Sequence, residues 1–406
     1  MKTFSSLTPN ISFKQSLASL ISIFLPEFCL KPLQKQNTKQ LAKILNLKSS
    51  QVALTHQARS AIFMALKTSQ QAHPNAKQVL LAGYTCRVLI NPILKLGLEP
   101  VFIDLQSSNL NMDLESLSKH CSKNTLAVIV QNTFGTQDPL DKIHKLVRQN
   151  NPKAKIITDL AHCLPTAGEL DLLQKHSDFA VLSFANNKTL GVGPLAALLN
   201  FSKLKLVILP KSPKLPILKA LLKNFSMPIF MSVYNLAKLG KLALAVFAKL
   251  RLYPKINTQA EKSLDYQKVN FYDASCKLAL VFKLALNGYT QKTSRMAAVF
   301  SIYQANLAKS LQYKQNFFTA PLFFPVKTRS PKKLYKKLAK QAFQLNLDWS
   351  MQPLVPVHKN IPETYQINQL TNSQTHSENI LCLPINNTVS YKDAVEIAKL
   401  INRYEK

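Results

Sequence analysis

The sequence predicts an α/β protein in which helices enclose a mainly parallel β-sheet, with a second, smaller α/β domain towards the C-terminus. The chain has 406 residues, which is more than one ordinary hydrophobic core requires and enough for two. Short apolar runs alternate with segments of helical periodicity, and this alternation is typical of parallel sheets. The runs cover residues 79–81, 100–105, 126–130, 155–159, 179–184 and 195–199.

The ends of these runs are the first places to look for a functional site. Each run has the length of a buried strand, and several are rich in β-branched residues. Ligands of parallel sheets bind at the carboxyl ends of the strands, so the residues that directly follow the runs are candidates. These residues are Gly83, Tyr84 and Thr85, then Gln131, Asn132 and Thr133, then 159–162, and finally 183–188.

The pattern divides the chain into three parts. Residues 1–45 are a predicted N-terminal helical segment, 46–255 the large domain and 256–406 the small C-terminal domain. Within the large domain, a basic and apolar insert is expected at about 201–255, as a helical region broken by prolines such as Pro228. Its longest uncharged piece, 224–237, is shorter than the roughly 20 residues that a membrane-spanning helix needs.

Charge is distributed unevenly along the chain. The apolar fraction is 47% and the charged fraction 18%, as in globular proteins, but the net charge is +32. Residues 179–260 contain no Asp or Glu, and their lysines alternate with Leu, Ile, Val and Phe. Such a stretch indicates peripheral contact with a membrane surface, or a buried helical insert or dimer interface in a lysine-rich protein. No nucleic-acid-binding motif accompanies the charge, so no specific nucleic-acid binding is expected.

The six cysteines form no CxxC pair and no cluster with histidines, so the sequence predicts neither a metal site nor a disulfide framework. The apolar run 17–25 is preceded only by Lys2 and Lys14 and is followed by Pro26 and Glu27, which does not match a signal peptide. We therefore expect a cytoplasmic protein, with contact to the inner face of the membrane as an additional hypothesis.

Two residues at strand ends have chemistry that suggests catalysis, although each has an ordinary explanation when taken alone. Asp159 ends an apolar run, where it faces either a site or solvent, and a helix N-cap explains it equally well. Lys188 follows another run, and a solvated loop lysine is the usual reading of such a position. The order in which these two residues follow other motifs makes a catalytic role the more specific interpretation.

Several short motifs follow one another in an order that is itself informative. In chain order they are 83–85 with Asn91, 96–104, 109–113, 132–135, Asp159-Leu160-Ala161-His162, Ser183-Phe184-Ala185-Asn186-Asn187-Lys188, Arg295-Met296 and 381–384. Together they resemble the DegT/DnrJ/EryC1/StrS family of sugar aminotransferases, which use pyridoxal phosphate (PLP) and have the fold-type-I architecture. The resemblance extends from about residue 51 to 197 and returns near the C-terminus.

The resemblance implies roles for three side chains. Lys188 would hold PLP as a Schiff base and move protons during transamination. Asp159 would pair with the protonated pyridine nitrogen and keep the ring an electron sink. His162 would lie against the ring or its 3-hydroxyl group, and the alternative is a hydrogen-bonded structural histidine.

The remaining cofactor contacts implied by the resemblance lie around the phosphate and the ring. The main-chain amides of Ala58, Arg59 and Ser60 stand where the family binds the phosphate at a helix N-terminus, and Ser183 would add its hydroxyl group. The Arg59 side chain would either add a positive charge to the phosphate site or lie on the protein surface. Further contacts are expected from Tyr84, Cys86 and Asn132.

Three departures from the family pattern concern the same pocket. Cys86 occupies the place of an aromatic residue that stacks on the cofactor. Thr293 replaces an asparagine that reaches the phosphate site of a neighbouring subunit, and Pro194 lies where an acidic-Gly-Gly sequence is usual. Lys188 argues against the family's dehydratases, in which a histidine takes the place of the lysine.

The resemblance therefore implies a homodimeric aminotransferase that moves an amino group, from an amino acid such as glutamate, to a keto sugar. The sugar would be linked to a nucleotide, and the product would serve polysaccharide or secondary-metabolite biosynthesis. The alternative is a catalytically altered or regulatory member of the family that associates with a membrane surface through residues 201–255.

Overall fold

A computed structural model gives the architecture of most of the chain. It describes residues 2–3, 10–233, 239–254, 257–341, 343–345, 370–386 and 388–405.

The α-helices of the described residues are numbered in chain order. They are α1 (Phe13–Phe24), α2 (Glu27–Ile44), α3 (Ala58–Ala72), α4 (Ile90–Lys95), α5 (Leu114–His120), α6 (Leu140–Asn150), α7 (Ala167–His176), α8 (Lys214–Ser232), α9 (Leu239–Lys249), α10 (Gln259–Lys262), α11 (Ala279–Asn287), α12 (Tyr289–Asn306), α13 (Pro331–Lys340), α14 (Thr371–Glu378) and α15 (Tyr391–Tyr404).

The β-strands are numbered in the same way. They are β1 (Lys2–Thr3), β2 (Val52–Thr55), β3 (Gln78–Ala82), β4 (Glu99–Ile103), β5 (Thr125–Gln131), β6 (Lys155–Asp159), β7 (Cys163–Leu164), β8 (Phe179–Ser183), β9 (Ala196–Asn200), β10 (Ala320–Pro321), β11 (Phe323–Lys327), β12 (Phe343–Gln344) and β13 (Ile380–Pro384).

A seven-stranded sheet forms the centre of the fold, in the order β2-β9-β8-β6-β5-β3-β4. Strand β9 pairs antiparallel with both β2 and β8, and the other neighbouring strands pair parallel. The carboxyl ends of β2, β3, β5, β6 and β8 therefore meet at one edge of the sheet. The predicted α/β fold with a mainly parallel sheet is confirmed.

The predicted strands coincide with observed strands to within two residues at either end, because burial on both faces selects continuous apolar runs. All seven residues of β5 are buried. Strand β2 was not predicted. Its four residues are too few for a periodic signal, and it forms as an edge strand against β9.

The insert at 201–255 differs from its prediction in two respects. Residues 201–213 contain no helix, and α8 begins only after Pro213. Pro228 was expected to break the helical region, but α8 continues through it to Ser232. A proline removes one main-chain hydrogen bond, and the packing of α8 against α1 outweighs that loss.

The C-terminal part contains a second, two-stranded sheet, in which β11 and β13 pair antiparallel. Helices α12 and α13 both pack on α15 beside it. The predicted boundary at 255/256 falls on residues outside the described part of the chain. One continuous cluster of buried side chains extends from Ala18 to Ile401, so the three-part division remains a prediction.

Among the helices that the structure describes, none combines the length and the apolar character required to cross a bilayer.

Candidate active site

The carboxyl edge of the central sheet brings five strand ends together. Thr55, Ala82, Gln131, Asp159 and Ser183 are the last residues of β2, β3, β5, β6 and β8. Neighbouring strands lie about 4.8 Å apart, so this edge is a continuous row of main-chain ends and polar side chains. The sequence-predicted site residues lie on or directly after this row.

Lys188 follows β8 in a tight turn, in which its main-chain N–H donates to the carbonyl oxygen of Ala185 at 2.8 Å. Burial lowers the pKa of its ammonium group from 10.5 to about 8, and the nearby Cys86 thiol and Asp159 carboxylate act in the opposite direction. A solvated loop lysine would keep its ordinary pKa. Lys188 is half-buried, its charge interacts with that of Asp159, and at pH 7 about a tenth of the amine is uncharged.

Asp159 is the last residue of β6 and is only 4% exposed. Its Oδ1 accepts a hydrogen bond from the main-chain N–H of Ala161 at 2.9 Å. Burial raises the pKa of this carboxyl group, whereas the Ala161 N–H and the positive charge of Lys188 lower it. Asp159 is therefore a buried carboxyl group whose charge interacts with that of Lys188.

His162 completes this group from the turn after β6. The main-chain N–H of Phe134 donates to its Nδ1 at 3.0 Å, so the proton of the neutral ring lies on Nε2. Burial and the charge of Lys188 hold the pKa of His162 well below its usual range. The imidazole stacks on Phe134 with the rings 25° from parallel. It is a neutral side chain with one fixed hydrogen bond.

Asn132 shapes the turn that follows β5. Its main-chain N–H donates to the carbonyl oxygen of Asp159 at 3.1 Å, and its side-chain oxygen accepts from the N–H of Asp138 at 3.4 Å. Phe134 has a φ of 64°, and a Cβ atom on Gly135 would lie 2.4 Å from Pro321. This turn therefore requires glycine at 135, and the amide of Asn132 holds the strand end that carries Asp159.

Tyr84, Thr85 and Cys86 follow β3. Tyr84 is 2% exposed, and its ring centroid lies 6.1 Å from that of Phe134. The Thr85 hydroxyl is buried and has no hydrogen-bond partner among the described residues. Burial raises the pKa of the Cys86 thiol, while the Val88 N–H and Lys188 lower it. Cys86 thus places a neutral thiol close to Lys188.

The N-terminus of α3 lies at the same edge. Gln57 is its N-cap, so the first main-chain amides, those of Ala58 and Arg59, point out of the helix end. The Ser60 N–H instead donates to the Gln57 carbonyl at 2.9 Å, and the Ser60 hydroxyl accepts from the N–H of Tyr272 at 3.3 Å. The amide and the hydroxyl group of Ser60 are therefore both hydrogen-bonded within the protein.

Arg59 does not occupy the surface position that was one of its two expected placements. Its side chain is 11% exposed and forms an ion pair with Glu261 on α10. A second nitrogen donates to the side-chain oxygen of Asn257 at 3.3 Å. Its positive charge lies near the start of α3 but is balanced by a buried carboxylate.

Ser183 is held at this end of the sheet by strand pairing. It pairs with Ala196 of β9, and Ala196 pairs on its other side with Thr55, which lies three positions before the first residue of α3. Ser183 and the strand that leads into α3 therefore lie at the same level of the sheet, on either side of β9.

A contact that the sequence patterns did not indicate fastens the Lys188 loop to the N-terminal segment. The Asn10 side chain donates to the Lys188 carbonyl at 3.2 Å, and Gln15 donates to the carbonyls of Leu190 and Gly191 at 3.1 Å. The Lys292 ammonium donates to the carbonyls of Leu190 at 2.9 Å and Asn10 at 3.2 Å, and to Gln15 Oε1 at 3.3 Å.

Within the part of the chain that the structure describes, no three His, Cys, Asp or Glu side chains are grouped in a way that would hold a metal ion. The candidate site therefore consists of an amine, a carboxylate, an imidazole and a helix N-terminus.

Comparison with known proteins shows what the segment carrying this site is similar to. Residues 35–195, which contain α3, the strand ends and Lys188, match the model of the DegT/DnrJ/EryC1/StrS aminotransferase family. The match covers about two fifths of the chain and shows that this part of it is similar to the family. The resemblance to this family that the sequence motifs predicted is confirmed, at low sequence identity.

The curated relatives match only part of the chain. GDP-perosamine synthase of Vibrio cholerae is 22% identical over 154 residues, which are 38% of this chain and 40% of that protein. The dTDP-4-amino-4,6-dideoxy-D-glucose transaminase of Escherichia coli is 28% identical over 99 residues, or 24% and 26% of the two chains. The chain thus spans less than half the length of these relatives.

The fold resemblance covers nearly the whole chain. The structure of a sugar aminotransferase from Micromonospora echinospora superposes with a TM-score of 0.64 at 14% identity, over 92% of each chain. At this identity the superposition shows the fold, and it extends beyond the segment that the family model matches.

The cofactor of the DegT/DnrJ/EryC1/StrS family is PLP, and the residues at this edge fit it. PLP requires an amine for its aldehyde carbon, a carboxylate for its pyridine nitrogen and a helix N-terminus for its phosphate. Lys188, Asp159 and the start of α3 would supply these groups. The buried Thr85 hydroxyl without a partner is a further donor at the same strand end.

Proposed function

We propose that this chain is a PLP-dependent sugar aminotransferase that transfers an amino group, from an amino acid such as glutamate, to a keto sugar linked to a nucleotide. The observation that carries the proposal is the half-buried Lys188, whose pKa is lowered by desolvation, together with the buried carboxylate of Asp159, whose charge acts on it. Burying a lone charged group is costly, and a fold keeps such a pair where the chemistry needs it.

Each residue has a role that follows from its surroundings. When bound, PLP supplies an electron sink for carbanion chemistry. Lys188 binds it through an amine that is already partly uncharged, and the same nitrogen can hold and release a proton. Asp159 keeps the pyridine nitrogen protonated. Neutral His162 presents its Nε2–H side, since Nδ1 accepts from Phe134. The start of α3 and Ser183 bind the phosphate.

The proposed substrate class rests on the relatives and on charge. The names of the matched proteins specify GDP-linked and dTDP-linked sugars, both of which carry two phosphates. A net charge of +32 attracts such anionic substrates to the protein and accelerates their encounter. The product would be an amino sugar for a polysaccharide or a secondary metabolite.

Cofactor binding is tested by an absorbance titration of the purified protein with PLP. We expect a visible band that Lys188→Ala lacks and that Lys175→Ala retains, because Lys175 is an exposed lysine on α7. A wild-type protein without the band, or a Lys188→Ala protein that keeps it, would contradict the proposal.

The substrate class is tested separately. The protein with PLP is incubated with ¹⁵N-labelled glutamate and a panel of nucleotide-linked keto sugars, and the products are analysed by mass spectrometry. Transfer of the label to one of the sugars is the expected result. A visible band without transfer to any sugar would leave the cofactor proposal intact and refute the substrate class.

A homodimer remains part of the proposal, because the family resemblance implies it. Sedimentation velocity of the protein with and without PLP tests it directly, and a monomer at micromolar concentration would contradict it.

The second candidate is a catalytically altered or regulatory member that associates with a membrane through residues 201–255. The observation that favours it is that two positions of the pocket depart from the family pattern. Cys86 offers no aromatic surface to a cofactor ring, and the Thr293 hydroxyl donates to the carbonyls of Tyr289 and Thr290 within its own helix. The absorbance titration separates the two candidates.

A further inference from the structure

Helix α1 is oriented with its polar side inward. Its exposed positions carry large apolar side chains: Phe13 is 79% exposed, Leu17 47%, Ile21 43% and Phe24 79%. At about 100° per residue these four residues fall within a sector of roughly 80°. We call them the α1 stripe. A surface helix normally places such a stripe against the core.

Hydrogen bonds fix this orientation. The Ser16 hydroxyl donates to the carbonyl oxygen of Phe225 on α8 at 2.8 Å, and Gln15 donates to Leu190 and Gly191 beside Lys188. Rotating α1 to bury its stripe would break these contacts and leave the buried carbonyls without donors, which is costly. The apolar side therefore faces outward as a consequence of the polar contacts on the other side.

The stripe is part of a larger exposed apolar region. Phe28 at the start of α2 is 74% exposed, and α8 and α9 carry further exposed apolar side chains. α1 packs on α8, which packs on α9. Among the described residues, only Leu172 and Tyr391 are large exposed hydrophobic side chains outside these elements, the segment that leads to α8 and the residue that follows α9. The region consists of Phe13, Leu17, Ile21, Phe24, Phe28, Ile208, Leu215, Ile229, Leu239, Leu242, Val246 and Leu250.

The charge around this region identifies its partner. Residues 1–98 contain a single acidic residue, Glu27, and residues 179–260 contain none. Lys14 and Lys31 are exposed beside the α1 stripe, and Lys214, Lys249 and Arg251 are exposed on or next to α8 and α9. A partner for this surface must accept apolar side chains and must carry negative charge.

We propose that α1, the start of α2, α8 and α9 together dock on an anionic lipid bilayer surface. The phenylalanines and leucines enter the boundary between headgroups and acyl chains, and the lysines contact the lipid phosphates. At this surface a second copy of the chain would present apolar residues with the same positive charge, whereas an anionic bilayer presents apolar chains with the opposite charge. An apolar insertion combined with a basic surface supplies the two signals that stable membrane attachment requires.

This surface differs from the one indicated by the sequence. The sequence patterns pointed to residues 201–255, whereas the most exposed aromatic side chains belong to α1 and α2. Because α1 also fastens the Lys188 loop, lipid binding and the proposed active site share one helix. The docking proposal nonetheless does not depend on catalysis.

The test is sedimentation of the full chain with sucrose-loaded vesicles. Vesicles of phosphatidylcholine alone are compared with vesicles of phosphatidylcholine and phosphatidylglycerol, at low and high salt. We expect binding to the anionic vesicles, weaker binding at high salt and little binding to the neutral ones. Equal binding to both kinds of vesicle, or to neither, would overturn the proposal.

Two double variants locate the surface. Phe13→Ser with Phe24→Ser should weaken vesicle binding about tenfold or more, because burial of one phenylalanine side chain is worth at least about that factor. Phe13→Leu with Phe24→Leu should retain most of the binding. Leu172→Ser, on α7, is the control for an exposed apolar residue elsewhere and should bind like the wild type.

The competing occupant is a second copy. If the serine variant binds vesicles normally but changes from dimer to monomer in sedimentation velocity, the surface is an interface between copies and the proposal is wrong. Lys188→Ala should bind vesicles like the wild type, and the serine variant should keep the visible PLP band. These two results keep a failure of docking distinct from a failure of the proposed aminotransferase function.

Discussion

The properties of Lys188 illustrate how a site is built from single residues. Desolvation lowers the pKa of its amine from 10.5 to about 8, and Asp159 limits that shift. Because the uncharged amine is the nucleophile, these neighbours determine the pH range in which the lysine reacts. Two predictions follow from buried charges at this scale.

The first concerns the pH dependence of PLP capture by the protein. Its rate should rise with pH and level off above about 8, not near 10.5. Asp159→Asn removes a charge that stabilises the ammonium form, so the midpoint should move to lower pH. Stopped-flow absorbance measures the rate, and Asp171→Asn on α7 should leave the midpoint unchanged. An upward shift in Asp159→Asn would contradict this account.

The second concerns the buried carboxyl group of Asp138. Burial raises its pKa from 3.8 to about 7. The N–H of Met112, which donates to its Oδ1 at 2.8 Å, lowers the pKa but by less. Between about pH 4 and 7 the folded state holds a proton that the unfolded state has released, so this group stabilises the fold at low pH. That contribution is lost as pH rises through 7.

Replacing Asp138 with Asn keeps the acceptor for Met112 and removes the titration. Relative to the variant, the wild type should therefore lose up to about 4 kcal/mol of unfolding free energy between pH 4 and 7. Urea denaturation at several pH values measures this difference. Asp141→Asn, at an exposed position of α6, should track the wild type. Parallel pH curves for wild type and Asp138→Asn would show that Asp138 is ionised throughout.

At the scale of elements, the N-terminal segment and the Lys188 loop act as one unit. A Cβ atom on Gly191 would lie 2.3 Å from the carbonyl oxygen of Asn10, so the two chains approach closely and only glycine fits. Lys292 on α12 joins them with three hydrogen bonds. Burial lowers the pKa of Lys292 to about 8 as well.

Lys292→Met should therefore weaken this connection. The loss of an ammonium group that donates to three buried oxygens should reduce the free energy of unfolding by about 1 to 3 kcal/mol. PLP should also dissociate faster, since the loop that carries Lys188 loses support. Lys283→Met, which removes a single hydrogen bond to Gln40, should have less effect on both quantities. If the two variants behave alike, the connection has no special role.

Helix α14 depends on a carboxylate from the central sheet region. Asp104 directly follows β4 and accepts from the N–H groups of Asn372 at 3.0 Å and Ser373 at 2.8 Å, so it caps the helix from outside. Asp104→Ala should destabilise the protein by about 1 to 2 kcal/mol and speed hydrogen exchange in 371–378. Asp113→Ala removes the cap of α5 instead and should leave exchange in α14 unchanged.

At the scale of the whole molecule, 52 basic residues face 20 acidic ones. Such a surplus of one sign makes the compact state repel itself, and salt screens that repulsion. The melting temperature should therefore rise as sodium chloride is increased from low to moderate concentration. Circular dichroism in the absence of lipid and PLP measures it. A melting temperature that falls with added salt would mean that attractive ion pairs outweigh the surplus charge.

Much of the fold was predictable from the sequence because it depends on local patterns. Buried strands are continuous apolar runs, and the run at 155–159 coincides with β6 residue for residue. The carboxyl ends of parallel strands necessarily share an edge, so the chain order of Asp159, Ser183 and Lys188 predicted their proximity. The same logic missed β2, which is too short for periodicity to show.

Contacts between distant residues were not predictable in this way. Glu261 neutralises Arg59 from α10, Asp104 caps a helix 268 positions or more further along, and Lys292 reaches Asn10 across 282 positions. Each partner is an ordinary polar residue in its own neighbourhood, and only the packing of the elements brings the two together.

The sequence by itself determined the α/β class, the strand edge and the order of the family motifs, because these follow from apolar runs and from chemistry at strand ends. Only the tertiary structure decided which side of α1 faces the protein. Its apolar residues alone would predict a buried stripe, but its polar side finds hydrogen-bond partners at the Lys188 loop and α8. Those contacts exist only after the chain has folded, so the exposed stripe and its proposed lipid partner follow from the fold.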